Sequence, residues 1–362
     1  MVEIKLVKHS EEKGQLLDLF RASFGHGVSE EYWNWKYLQN SLASTDPEVI
    51  VASDNGRIVG ARPFLLADMW LQDEKGKTAQ HCDTMVHPEY QGKGIFNRMG
   101  QFSIEYLKEN GYVLSYGFPG PMSRTGFLKQ GWRVVVQKET MLRVLDPRKL
   151  IEYKLSNKLL GNGLGFLYST LLNTSLKELP QTSTPFQVEV FDRFSDELKG
   201  IDTLRDISGI DLVRDENYLR WRFDKHPVGN YRYIIAKRDE ELWGYAVIDS
   251  REGDNNLVYG FIIDYLVKHG DVACFQMLIG ECLKELAKSR CDIVTAWMFG
   301  NSEFKKQLLK RFNFKSSLQF PYNRVFSYGY MDAIRVNEHR TAKVDIYDKE
   351  NWRVTYAYAD TR

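Results

Sequence analysis

The 362-residue sequence predicts an α/β (α+β) fold built from two tandem copies of one domain. Three observations carry that prediction. Residues 83–97, Asp-Thr-Met-Val-His-Pro-Glu-Tyr-Gln-Gly-Lys-Gly-Ile-Phe-Asn, set a short apolar strand before a glycine-bearing turn and a helix. The stretch that follows, to residue 136, alternates helix and strand patterns. A block of the first half then recurs in the second half.

A first strand is expected at Ile4–Val7. Thr84-Met85-Val86 forms the strand before the turn, and Pro88 stops it. Gln91-Gly92-Lys93-Gly94 makes the turn, and a helix starts at Ile95. Its apolar residues Ile95, Met99, Phe102 and Tyr106 fall on one face, and Asn110-Gly111 ends it. A strand at Val113–Phe118 follows, then a Pro/Gly turn and a helical stretch near Thr125–Gln130. Gly131-Trp132 leads into the strand Arg133–Val136.

Glycines at a helix mouth let backbone N–H groups approach an anion, and the helix dipole adds to the attraction. The turn is therefore a phosphate-binding device. It is not a P-loop, because Ile95 and Phe96 follow Gly-Lys-Gly where Ser or Thr is needed. It is not a dinucleotide fingerprint either, because the third glycine position is Asn97.

The run resembles the acyl-CoA loop of the GNAT superfamily of N-acetyltransferases, whose pattern is Gln/Arg-x-x-Gly-x-Gly/Ala. Gln91 and Gly94 fit it, and Tyr90, Gly92 and Ile95 are typical neighbours. Phe96 departs from it, because the last position is normally small. Either the helix starts further from the diphosphate, or the ring packs beneath it. The resemblance implies two GNAT-like domains, each a mixed, mostly antiparallel, twisted sheet flanked by helices. It implies that acetyl-CoA is the cofactor, cradled by Gln91, Gly92, Lys93, Gly94, Ile95 and Phe96. Met85 and Val86 would meet the pantetheine arm. The strand ending at Val86 would splay from Leu114–Phe118 to open a slot for the thioester.

The repeat aligns Ser29-Glu30-Glu31-Tyr32-Trp33-Asn34-Trp35-Lys36-Tyr37 with Asp215-Glu216-Asn217-Tyr218-Leu219-Arg220-Trp221-Arg222-Phe223. Ile50-Val51-Ala52 matches Ile234-Ile235-Ala236, and Asp83-Thr84-Met85-Val86 matches Asp264-Tyr265-Leu266-Val267. A helix bearing Phe275, Leu278, Ile279, Cys282 and Leu286, a strand from Ile293 to Met298 and a helix near Phe304–Leu309 complete the second copy. After Val267 the chain reads Lys-His-Gly-Asp-Val-Ala, with one glycine and Asp271 at the helix mouth. The second copy is thus expected to be degenerate and not to hold CoA. The resemblance extends to tandem GNAT proteins with one working half, and distantly to the enhanced-intracellular-survival type. Domains are expected at 1–145, an N-terminal GNAT domain, and 186–330, a degenerate one. A helical connector at 146–185 joins them, and a tail at 331–362 adds a strand, read from the alternation of Trp352–Tyr358.

The chemistry needs a route for the amine proton, a donor for the carbonyl oxygen and an outlet for the thiolate. Asp83 and His81 are the candidate bases, expected to face one side of their strand together. The recurrence of Asp264 in the second copy argues the other way, for an Asp83 that serves the fold. In the family a Tyr four residues before the Gly131 position often protonates the thiolate; here that residue is Phe127. Ser123, Thr125 or Tyr116 would substitute, or the thiolate leaves unaided. Relatives of the enhanced-survival type also use a terminal carboxylate, which here belongs to Arg362. Trp33, Phe24 and His26 are candidate acceptor-pocket residues, with Trp35 and Tyr37 beside them.

Lys+Arg 49 against Asp+Glu 48 leaves a formal net charge of +1, so no basic field gathers nucleic acid or a membrane surface. No run of apolar residues is long enough to span a bilayer. The four cysteines, Cys82, Cys274, Cys282 and Cys291, form no CxxC pair; free thiols in the cytoplasm and no metal are expected. These residues point to an acetyl-CoA-dependent N-acetyltransferase acting on a small-molecule or peptide amine. A non-catalytic acyl-CoA sensor and a tandem-GNAT aminoacyl transferase are the alternatives. Oligomeric state is not written in the sequence.

Overall fold

A computed structural model describes residues 1–42, 46–150, 185–253, 256–299, 302–319, 329–337 and 343–360. The connector expected at 146–185 and the terminal carboxylate lie almost wholly or wholly outside them.

The first half opens with β1 (Glu3–Lys8) and α1 (His9–Phe24), which ends at Gly25 in the left-handed region at φ 76°. A one-turn helix α2 (Glu30–Trp33) is capped by the Ser29 hydroxyl, which accepts from the Tyr32 N–H, and runs into a π turn at Asn34–Leu38. Then come β2 (Glu48–Asp54), β3 (Arg57–Arg62) and β4 (Phe64–Leu71). β5 (Glu74–His81), β6 (Met85–Val86), α3 (Ile95–Glu109), β7 (Leu114–Gly117), α4 (Pro121–Lys129), β8 (Arg133–Gln137) and β9 (Thr140–Val144) follow.

The second half repeats the plan. It has β10 (Gln187–Phe191), β11 (Ile210–Leu212), a one-turn helix α5 (Glu216–Leu219) with its own π turn at Arg220–Asp224, β12 (Arg232–Arg238), β13 (Glu241–Glu252) and β14 (Val258–Val267). α6 (Val272–Lys288), β15 (Ile293–Trp297), α7 (Ser302–Arg311), β16 (Lys315–Ser316) and β17 (Tyr330–Arg335) complete it.

In the first half, β3–β4 and β5–β6 are long arms interrupted at Arg62-Pro63 and at Cys82–Thr84. Their outer parts pair in the order β1-β2-β3-β6, and their inner parts in the order β11-β4-β5-β7-β17-β8. The second sheet runs β10-β12-β13-β14-β15-β9-β16. The two halves have exchanged a strand. β17, from the end of the chain, lies between β7 and β8 in the first half. β9, which follows β8 directly, lies between β15 and β16 in the second.

The strand expected at Trp352–Tyr358 is not formed. Tyr356–Tyr358 is a 3-10 turn, and the strand-forming part of the tail is Tyr330–Arg335. The alternation there reflects burial on both sides, since Trp352, Val354, Tyr356, Ala357 and Tyr358 are all buried.

β2 shows why the apolar runs are continuous. Ile50 and Ala52 face α3 with Met99, while Val49 and Val51 face α1 with Leu16 and Trp33, so both faces are covered. The two repeated tryptophans meet between the halves. The Trp35 Nε1 donates to the Trp221 carbonyl at 2.8 Å, the Trp221 Nε1 donates to the Trp35 carbonyl at 2.8 Å, and the rings stack 5.5 Å apart. The two contacts are reciprocal, each tryptophan giving to its counterpart what it receives.

Candidate active site

The turn at Gln91–Gly94 is exposed, and Gly92 (φ +75°) and Gly94 (φ +74°) both adopt the left-handed backbone that glycine permits. Gly94 is the N-cap of α3 and supplies no side chain to its first-turn N–H groups, which stay available to an anion. The Lys93 ammonium lies 4.5 Å from the Tyr90 ring centroid, beside the turn. The matching helix mouth in the second half is filled. The Asp271 carboxylate accepts from the Ala273 and Cys274 N–H groups at 2.8 and 3.0 Å, taking the place an incoming anion would need.

Phe96 resolves the departure at the last motif position. Its ring packs under the helix start against Phe127, at 5.4 Å between centroids. Gly126 makes the room, since a Cβ there would sit 2.5 Å from the Phe96 ring. The bulky residue on α3 is matched by a missing side chain on α4.

The strands diverge next to this mouth. β5 pairs in parallel with β7 as far as His81 opposite Gly117. Asp83 then adopts φ +46°, and β6 continues on β3 alone. Met85 is in register with Ala61, and the His87 N–H donates to the Val59 carbonyl at 2.9 Å. Strand alternation therefore turns the Val86 peptide groups away from β3, toward the gap. The Val86 carbonyl accepts there from Gln91 Nε2 at 3.3 Å. Met85 points its backbone to β3, and its side chain is buried in the core.

The same kink corrects the expectation that Asp83 and His81 share a face. A left-handed residue breaks the period of two, so Asp83 joins Gln80 and Cys82 on one side while His81 lies on the other. His81 is 5% exposed, enclosed by Phe64, Phe127 and Trp132. Its Nδ1 accepts from Arg62 Nε at 2.7 Å, and burial, then the Arg62 charge, holds its pKa well below the ordinary value. It is a neutral acceptor on the opposite side of the strand from the Asp83 carboxylate.

Asp83 belongs to a group that spans the sequence. Its carboxylate accepts from Lys36 Nζ at 2.7 Å and from the Tyr37 hydroxyl at 2.6 Å. Lys36 also donates to Asp360, at 2.8 Å, and Gln80 Nε2 donates to Asp360 at 3.3 Å. Burial opposes the Lys36 charge, but Asp360 and Asp83 outweigh it and hold its pKa well above the ordinary value. Two carboxylates share one ammonium, leaving one surplus negative charge. Their side chains are 18% and 13% exposed, so the group is reachable. The counterpart Asp264 is 0% exposed and saturated by Arg214, Tyr245 and Thr355.

The other expected residues divide. Tyr116 is fully buried against Trp352 and Tyr358, and burial above all pushes its hydroxyl pKa well up. Ser123 is half-buried in the first turn of α4 and donates to the Gly120 carbonyl at 3.3 Å. Trp33 is a core residue packed on His9, Phe20 and Tyr37, not a pocket wall. Phe24 and His26 are exposed at the end of α1, with His26 Nδ1 within 3.3 Å of the Gly27 carbonyl.

Sequence reasoning missed Lys36, Gln80, Asp360 and Arg62. Only Lys36 carried a signal, as the basic residue that recurs as Arg222. Cys82, Asp83 and Asp360 place ligand atoms within 4.8 Å of one another, but the Lys36 ammonium already serves the two carboxylates. All four cysteines are buried and free. A hollow of about 300 Å³ lies by Tyr106, at the end of α3 remote from Gly94. Another of about 360 Å³ follows the end of β14. Neither includes the glycine turn.

An uncapped glycine mouth, a kinked strand before it and a parting of the two central strands define an acyltransferase-type domain of the GNAT class. Residues 3–135 match the family model of the acetyltransferase (GNAT) domain, and the fold of the whole chain is similar to that of tandem GNAT proteins. Among solved structures, a probable N-acyltransferase from Enterococcus faecalis V583 aligns with a TM-score of 0.66 at 13% identity, covering 98% of this chain and 82% of that one. Eis1 from Mycobacterium abscessus aligns with a TM-score of 0.58 at 10% identity, covering 93% and 74%. A tandem GNAT protein from the clavulanic acid biosynthesis pathway gives 0.52 at 13% identity, covering 92% and 99%. Comparison with curated proteins gives no match. Among the described residues, no helix is long and apolar enough to cross a membrane.

Proposed function

We propose that this chain transfers an acetyl group from acetyl-CoA to a primary amine, with 1–145 as the working domain and 186–330 as its degenerate partner. The observation that carries this reading is the contrast between the two helix mouths, one open and side-chain-free, one filled by Asp271. The amides of Gly92–Phe96 would hold the diphosphate, with Lys93 adding charge. When bound, acetyl-CoA supplies the activated carbonyl. The Val86 N–H faces the gap as a donor for the pantetheine arm or the carbonyl oxygen. Asp83 and Asp360, bridged by Lys36, attract a cationic amine and pass its proton to solvent. Ser123 lies nearer the surface than Tyr116 as a source of a proton for sulfur.

The test is a thermal shift with CoA. Wild type is stabilised by about 2.7 kcal/mol when CoA is at a hundred times its Kd. Gly94→Trp, which fills the mouth, loses that response. No response in the wild type, or an unchanged one in the variant, refutes the reading. Thiol release from acetyl-CoA across a panel of amines then separates an enzyme from a binding protein. Phe127, where a proton-donating Tyr is usual, favours the sensor as the second reading.

A further inference from the structure

Arg62, among the described residues, is a buried charge beside the parting of the strands that this reading leaves unexplained. It ends β3, is 0% exposed, and lies on the α3 and α4 side of the sheet. Its guanidinium is 5.4 Å from the centroid of Phe96, in the first turn of α3, and 4.8 Å from that of Phe127. Its Nε donates to His81, the last β5 residue before the strands part. Nη1 and Nη2 have no partner, and no ion pair to Arg62 forms among the described residues. Burial alone lowers its pKa to about 9, so it keeps its charge at neutral pH. The facing His81 is neutral, Phe96 and Phe127 carry no charge, and Arg124 of α4 is engaged with Asp332 of β17.

An uncompensated buried cation is costly, and a pair of buried N–H groups without acceptors adds to that cost. A fold keeps such a group where an anion visits. The reaction proposed above forms one new anion at the parting of the strands. We infer that Arg62 is a fixed positive charge that stabilises the thiolate leaving from the acyl donor. The inference rests on the acyl-CoA reading of the glycine turn. The acceptor nitrogen bonds to the acyl carbon, the C–S bond breaks with its electron pair kept by sulfur, and the nitrogen sheds its proton to solvent. Arg62 transfers no proton. It acts through its field across the aromatic wall, where low polarity leaves the charge poorly screened.

The experiment uses CoA itself, in the thiol form, and needs no acceptor. The ultraviolet absorbance of the thiolate is titrated on the full chain with CoA bound, for wild type, Arg62→Lys and Arg62→Met. Bound CoA in the wild type should ionise at lower pH than free CoA. Arg62→Met should raise that pKa by about one unit or more, and Arg62→Lys should retain most of the wild-type value. Arg62→Met should melt no lower than wild type, because it removes an unpaired buried charge. If Arg62→Met does not fold, the Arg62→Gln protein takes its place. Equal thiol pKa values in wild type and variant, with CoA bound to both, overturn the role of Arg62. CoA failing to bind wild type at all overturns the glycine-turn reading, and this inference with it.

Discussion

At the scale of single residues, the candidate site turns on Asp83. Its left-handed backbone moves one carboxylate out of step with its strand and into contact with Lys36, Tyr37 and, through Lys36, Asp360. Lys36 is 3% exposed and holds two acids together. Lys36→Met should therefore cost about 3–5 kcal/mol in a urea denaturation, the typical loss when one partner of a buried pair is removed. Adding Asp83→Asn to that variant should recover part of the loss, since one stranded charge is then gone. Equal stability of wild type and Lys36→Met would contradict the arrangement. The sequence pointed to Asp83 but grouped it with His81, because an alternating pattern carries no mark of the residue at which alternation stops. Asp360 was invisible for another reason: its partners lie 280 to 328 positions away, counted from Gln80 and Tyr32.

At the scale of elements, the two helix mouths are a controlled comparison made within one chain. α3 begins at a glycine and offers its amides, whereas α6 begins at an aspartate and consumes them. Asp271→Ala should destabilise the protein by about 1 kcal/mol, the usual worth of such a cap, in chemical denaturation. The open mouth of α3, left untouched, should keep the CoA response unchanged in the same variant. These elements were legible because turns and caps are local: Gly94, Asp271 and the apolar spacing of both helices stand within a few residues of one another. The exchange of β9 and β17 was not legible. Both strands look ordinary in sequence, and nothing local says which sheet an apolar strand will enter. The tail misled for the opposite reason, since alternate large side chains at Trp352–Tyr358 imitate a strand when both faces are covered.

For the whole molecule, burial of histidines sets a dependence on acid. His9, His81 and His226 are all buried, and burial is the main cause that lowers their pKa values, to about 4 for His9 and about 3 for His226. The unfolded chain takes up these protons near the ordinary value of 6.5 while the folded chain refuses them. Their contribution to stability is complete above about pH 6.5 and is lost as pH falls toward the lowered values, by up to ~1.4 kcal/mol per pH unit for each group. Urea midpoints measured at about pH 7.5 and about pH 5 should fall accordingly, and His9→Phe should shallow the slope. A midpoint independent of pH in that window would be inconsistent with this burial.

Reciprocal strand exchange also sets an order of events during synthesis. Every residue proposed to grip the acyl donor has been made by residue 96, yet the sheet beneath it lacks β17 until residue 335 has emerged. A nascent chain therefore cannot complete the first-half sheet early, and a chain stopped before residue 330 is expected to leave β7 and β8 without the strand between them, however complete the motif appears. Any activity of the proposed working half would thereby require translation to have passed residue 335.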